Sequence, residues 1–232
     1  MADNLSFEVV DDVAVITLDD GKANALGFEM FSLLDDAVDQ AASQAQATVL
    51  LGRPGVLSGG FDLNVIRSGD SVEIEKLLRC GVRMLMKLFG HEQPLVVGTP
   101  GHAVALGAFI LLSADYRIGV EGDFKIGLNE TAIGLTLPAF GVELARARLS
   151  PLYLSRSAIV AELFEPKKAI EVGFLDQVVD DSNVLTSNLK TVSVDKAQSL
   201  APLDSKAYAF NKKAFRGEII ESSSFNSIGI AL

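Results

Sequence analysis

The acid with the most unusual setting is Glu130, in Ile126-Gly127-Leu128-Asn129-Glu130-Thr131, between runs of apolar, strand-forming residues. Burial there would raise its carboxyl pKa toward that of a usable general base; the ordinary alternative is a surface glutamate at a strand end. Two glycine-bearing loops offer another chemistry: Leu57-Ser58-Gly59-Gly60-Phe61-Asp62 and Gly101-His102-Ala103-Val104-Ala105-Leu106-Gly107. The second runs straight into an apolar helix. A helix N-terminus has unpaired N–H groups and the positive end of a dipole, which suits an oxyanion, and glycines let a ligand approach the backbone. Neither loop has the Gly-Lys-Ser/Thr of a phosphate loop or the GxGxxG spacing of a dinucleotide site, and each alone could be a tight turn. Ser58 lacks the GxSxG spacing of a nucleophile elbow. His102 could be a base or a hydrogen-bonded bystander. Cys80 reads as a small apolar filler on a helix, and one cysteine with two histidines gives no expectation of a metal site.

These residues need elements to hold them. Phe7–Val10 and Val13–Leu18 read as a β-hairpin turning at Asp11-Asp12. Met30, Leu33, Leu34, Ala37, Val38 and Ala41 recur at helical spacing, and a second helix is expected over Ser71 to Phe89. Thr48–Leu51 and Leu95–Val97 read as strands. Arg53 to Gly60 reads as a glycine-rich loop, and Thr99-Pro100-Gly101 as a turn. Ala103 to Leu112 is apolar on all sides and opens at Gly107, so a helix buried all round is expected. Tyr116–Val120, Phe124–Gly127, Thr131–Ile133 and Leu175–Val179 read as short strands. Pro138 should start a helix, Ser150-Pro151 should cap another, and a third should run from Pro166 to Gly173. Strands alternating with helices imply right-handed βαβ units in one α/β domain, residues 1–182, with a polar helical appendage over 183–232.

Thirty acidic against twenty basic residues give a net charge of −10 over 232 residues. No broad basic field exists to neutralise phosphates, so nucleic acid is not an expected partner. No signal or transit pattern opens the chain, and its longest apolar run is too short to span a bilayer, so a cytoplasmic protein off the membrane is expected. An anionic ligand would have to be met by local cations, for which Lys22, Lys212, Lys213 and Arg216 are candidates; a solvated helix face is the alternative.

Taken together, four segments resemble the crotonase superfamily of enoyl-CoA hydratases and isomerases. Gly21-Lys22-Ala23-Asn24-Ala25-Leu26 resembles the family's basic residue followed by Asn-Ala-Leu, and Leu57 to Leu63 its Phe-Ser-Ala-Gly-x-Asp-Leu loop. Gly101 to Ile118, ending Ala114-Asp115-Tyr116-Arg117-Ile118, resembles its glycine turn, buried helix and Cys-Asp-x-Arg-Ile; the Gly-Leu-Asn-Glu segment ending at Glu130 resembles that of 3,2-trans-enoyl-CoA isomerases. The resemblance implies a spiral of ββα turns that binds an acyl-CoA thioester, forms homotrimers or hexamers, and needs no cofactor beyond the coenzyme A of its substrate. It implies an oxyanion hole from the N–H groups of Phe61 and Leu106, and substrate contacts at Lys22, Ala23, Ala25, Gly59, Gly60, Asp62, Leu63, Phe109 and Pro138. Of the two glutamates of the resembling hydratases, one falls on Phe109 and is absent; the other falls on Glu130. Hydration needs a water held between two acid/base groups, whereas moving a double bond needs one base. The resemblance therefore implies isomerisation at Glu130, with a hydratase, a related hydrolase or a non-catalytic acyl-CoA binder as alternatives.

Overall fold

The computed structural model describes residues 4–180 and 187–222. Strands β1 (Leu5–Val10) and β2 (Val13–Leu18) form the expected hairpin. Asp11 and Asp12 turn it with φ of 47° and 63°, the left-handed pair that a two-residue hairpin turn requires. Helix α1 (Phe28–Gln44) then leads to β3 (Ala47–Leu51). Strand β4 (Gly55–Ser58) and the single-turn α2 (Leu63–Ile66) precede α3, which spans Ser71–Phe89 with Asp70 capping its N-terminus. Strands β5 (Leu95–Thr99) and β6 (Gly101–Val104) are separated by Pro100 alone and feed α4 (Leu106–Ser113). Strands β7 (Tyr116–Val120) and β8 (Ile126–Gly127), helices α5 (Ala139–Arg148), α6 (Leu154–Ala158) and α7 (Pro166–Val172), and strand β9 (Gln177–Val179) follow. The chain continues as α8 (Ser187–Leu200) and α9 (Ser205–Ser222).

The main sheet has the order β1-β2-β3-β5-β7-β9, parallel except for the hairpin. Its inner strands β2, β3, β5 and β7 are buried on both faces, as a parallel sheet covered by helices must be. On β2, Ala14, Ile16 and Leu18 join the large core that includes residues of α1 and α3, while Val13 and Val15 join a second core with Leu189, Val194 and Ala197 of α8. Helix α8 thus covers one face of the main sheet. The boundary expected at residues 182 and 183 lies outside the described residues.

A second, three-stranded parallel sheet, β4-β6-β8, lies beside the first. From the sequence a glycine-rich loop is expected where β4 stands, and a turn and glycine-bearing loop where β6 stands. The glycines that prompted this serve close packing: a Cβ on Gly101 would lie 2.0 Å from the Gly55 carbonyl oxygen. Two further expectations need correction. Thr131–Ile133 is a 3-10 turn, with the Ala132 and Ile133 N–H groups donating to the carbonyls of Asn129 and Glu130, and not a strand. Ser150-Pro151 caps no helix, because α6 begins only at Leu154. Helix α4 begins at Leu106, one residue before the expected opening at Gly107, and all eight of its residues are buried.

Candidate active site

Three segments meet at the N-terminus of α4. The first, residues 19–26, is tied by Asp20, whose carboxylate accepts from the N–H groups of Lys22, Asn24 and Ala25. Asn24 is fully buried at φ 49°; its Nδ2 donates to the carbonyls of Leu18 and Leu57 at 2.9 and 3.0 Å. The second segment, 58–62, is laced to the first: Gly59 N donates to Ala23 O, and Ser58 Oγ donates to Asn24 O while accepting from Gly60 N. Ser58 is fully engaged as a brace, which removes it as a nucleophile. Asn24 as a brace is not evident from the sequence; its one signal is a polar residue between two alanines. Asn24→Ala strands two buried carbonyls and leaves a β-carbon residue at positive φ, so a loss of about 2–3 kcal/mol is expected in chemical denaturation.

Phe61 forms an isolated parallel bridge with Leu26. Leu26 N donates to Gly60 O and Asp62 N to Leu26 O, so the N–H of Phe61 itself points away from Leu26. The third segment supplies its counterpart. Leu106 is the first residue of α4 and has no carbonyl one turn earlier to accept its N–H. Neither the Phe61 nor the Leu106 N–H has a protein acceptor among the described residues. They are neighbours, since a Cβ on Gly60 would lie 3.0 Å from Ala105 Cβ and 3.7 Å from Leu106 N. Ala105 holds this approach at φ 53°, ψ −123°, an unusual conformation for alanine, with its N–H on Gly127 O.

That last bond brings in Glu130, three residues beyond Gly127. Glu130 is 8 % exposed, and its Oε2 is buried without a hydrogen-bond partner, as is Oδ1 of Asn129. Burial raises the Glu130 pKa to about 7, against the smaller opposing pull of the backbone N–H groups of residues 130 and 129. Phe109 and Pro138 are brought together over Gly141 of α5: a Cβ there would meet the Phe109 ring at 3.0 Å and Pro138 Cδ at 3.4 Å. Ala23, Gly59 and Leu63 are exposed, Ala25 is half-buried, and Asp62 caps α2 by accepting from Asn64 N.

Lys22 and Lys213 are exposed, as a phosphate contact requires, but Lys212 and Arg216 are not available for one. Lys212 is buried, with Nζ on Asp115, His91 O and Gln93 O, and Arg216 pairs with the other oxygen of Asp115. The helical spacing of these basic residues hides which face of α9 they occupy. His102 accepts from Lys125 N at Nδ1 and lies edge-on to Phe124, so it is a brace of the β6–β8 edge.

Among the described residues, no helix is long and apolar enough to cross a membrane. Residues 8–223 match the profile of the Enoyl-CoA hydratase/isomerase family. A solved enoyl-CoA hydratase/isomerase family protein from Pseudomonas syringae is similar at 39% identity and TM-score 0.91, over 98% of this chain and 96% of that one. The human mitochondrial enoyl-CoA delta isomerase 1 is 26% identical over 78% of this chain. The aligned region spans 61% of the human protein's length. The short-chain-enoyl-CoA hydratase of Clostridium acetobutylicum is likewise 26% identical, over 86% of this chain and 77% of its own.

Proposed function

Because the chain belongs to the enoyl-CoA hydratase/isomerase family, we propose that it is an enzyme that shifts the double bond of 3-enoyl-CoA thioesters to the 2-position, with Glu130 as its single acid/base. The thioester oxygen accepts from the Phe61 and Leu106 N–H groups. Ionised Glu130 removes a proton from C2; the electron pair moves onto the carbonyl oxygen, where the two donors hold charge that appears only during reaction. Collapse of the dienolate takes the proton back from Glu130 at C4. The observation that carries this reading is the buried Glu130 carboxyl, with a free oxygen and a pKa of about 7, which equips it both to take and to return a proton near neutrality.

Phe109 decides between isomerase and hydratase. It occupies the position of the hydratases' second acid, and its buried ring offers no hydrogen-bond partner for a water. A dry site lets Glu130 return its proton to C4 without losing it to solvent. The two relatives at 26% identity divide between the two reactions and leave the choice to this position. Lys22, with Lys213, is proposed to meet the phosphates of coenzyme A. The proposal extends to Ala23, Ala25, Gly59, Gly60, Asp62, Leu63 and Pro138 as the walls of the site, and to a cytoplasmic homotrimer or hexamer in which the C-terminal region covers the pocket.

Purified protein given 3-hexenoyl-CoA and 2-hexenoyl-CoA separately should isomerise the first faster than it hydrates the second. Phe109→Glu should gain hydration. A wild-type hydration rate equal to or above its isomerisation rate would promote the hydratase reading, and tight binding without turnover would make the protein a binder.

A further inference from the structure

We infer that the Phe61 side chain sets the acyl length this site accepts and restricts it to short-chain thioesters. The inference rests on the Phe61 and Leu106 N–H groups being the thioester donors; what it adds concerns their side chains. Both converge on one point of α3. From the position a Cβ of Gly81 would take, the Phe61 ring carbons lie at 2.5 and 2.6 Å and Leu106 Cδ2 at 3.4 Å. Helix α3 therefore approaches the Phe61 and Leu106 side chains so closely that only a glycine fits at 81, and the Phe61 ring fills the gap. From α1, Phe31 meets that ring edge-on, with centroids 6.3 Å apart at 61°. The ring is thus held by α1 on one flank and α3 on another, and its root is fixed by the Leu26 bridge.

Phe61 is half-buried and packs against the main core, so its ring has little freedom to swing aside. An acyl chain whose carbonyl oxygen sits on the two N–H groups must extend past these side chains. A short chain needs none of the space the ring occupies. A long one gains from burying each further methylene only where room exists, and here the room is taken by a ring backed by two helices. Since the donor is a backbone group, truncating the side chain widens the site while keeping the N–H in place.

The test uses saturated hexanoyl-CoA and dodecanoyl-CoA, which bind without reacting, measured by calorimetry on wild type, Phe61→Ala and Phe61→Leu. Wild type should bind hexanoyl-CoA at least as tightly as dodecanoyl-CoA. Phe61→Ala should shift the ratio toward dodecanoyl-CoA by tenfold or more, and Phe61→Leu by an intermediate factor; if the alanine variant does not fold, the leucine variant decides. The kcat/KM ratio for 3-dodecenoyl-CoA over 3-hexenoyl-CoA should move in parallel. Tighter wild-type binding of dodecanoyl-CoA, or a ratio unmoved by a folded variant, would overturn the inference. A binding ratio that shifts as expected in a protein that isomerises neither enoyl thioester would instead refute the isomerase reading and leave the length gate standing.

Discussion

Glu130→Gln is expected to lower 3-enoyl-CoA isomerisation by on the order of a hundredfold or more, while making the fold more stable at neutral and alkaline pH. Both effects come from one burial. Glutamine keeps the shape of the side chain but can neither take nor return a proton. The stability effect follows from the folded pKa of about 7 against an ordinary 4.5. Below the ordinary value both states hold the proton and nothing is lost. Between the two values the unfolded chain releases its proton and the folded one does not, so stability falls as pH rises. The accumulated loss above the folded pKa is about 3 kcal/mol, and glutamine escapes it. Wild-type kcat/KM should rise as pH passes through about 7, because the base must be ionised. Steady-state kinetics and urea melts at acid and alkaline pH check both halves. Residual activity within tenfold of the parent, in a folded variant, would remove Glu130 from the mechanism.

The sequence was most legible where one local rule acted alone. The Asp11-Asp12 turn, the α3 boundaries at Ser71 and Phe89, and the C′ glycine of α7, Gly173 at φ 103°, each follow from turn chemistry, periodicity or capping. Of the second sheet, β8 was legible within the strand expected over Phe124–Gly127, but β4 and β6 were not, because they are only four residues long and carry glycines. Glycines in these strands and at the start of α4 serve contacts between segments far apart in sequence: Gly101 against Gly55, and Gly107 against the Ser58 carbonyl at 2.3 Å from an added Cβ. Periodicity within one segment holds no record of such an approach. Thr131–Ile133 misled for a related reason: β-branched and apolar residues favour strands, but bonding to the Asn129 and Glu130 carbonyls closed a tight turn instead. Glu130 could be singled out as a candidate because an acid among apolar residues is conspicuous. The donor N–H groups could not be seen in the residues themselves, since a backbone donor leaves no mark on residue type; the family's pattern alone pointed to them. Lys212 shows the opposite failure, a charged residue offered as a phosphate contact, or else a solvated face, because its partner lies 97 positions away.

Asp115→Ala is expected to destabilise the protein by about 4 kcal/mol, since removing one member of a buried ion cluster leaves the others uncompensated. Asp115 follows α4 directly. One carboxylate oxygen accepts from Leu95 N and from Lys212, both at 2.7 Å, and the other pairs with Arg216 at 2.8 Å. Burial and then Asp115 also hold the Tyr208 hydroxyl well above its ordinary pKa. The cluster therefore joins α9 to the start of β5 and the end of α4, whose last carbonyls are also held by Arg148, on Leu112 O and Ala114 O. Burial outweighs the attraction of Asp115 and pulls the Lys212 pKa down to about 8. Without Asp115 it should fall further. A lysine whose folded pKa is depressed gains stability as pH rises from that value toward the unfolded 10.5, because the unfolded chain then binds more protons. The defect of Asp115→Ala should accordingly be largest near pH 6 and shrink toward about pH 8. Lys212→Met in the same background should recover part of the loss, whereas Lys212→Met alone should destabilise, because it strands the His91 and Gln93 carbonyls. Urea denaturation of the three variants completes a double-mutant cycle. Additive losses at pH 6 would show that Lys212 and Asp115 do not act as a pair, and an unchanged defect between pH 6 and 8 would show that Lys212 does not titrate there.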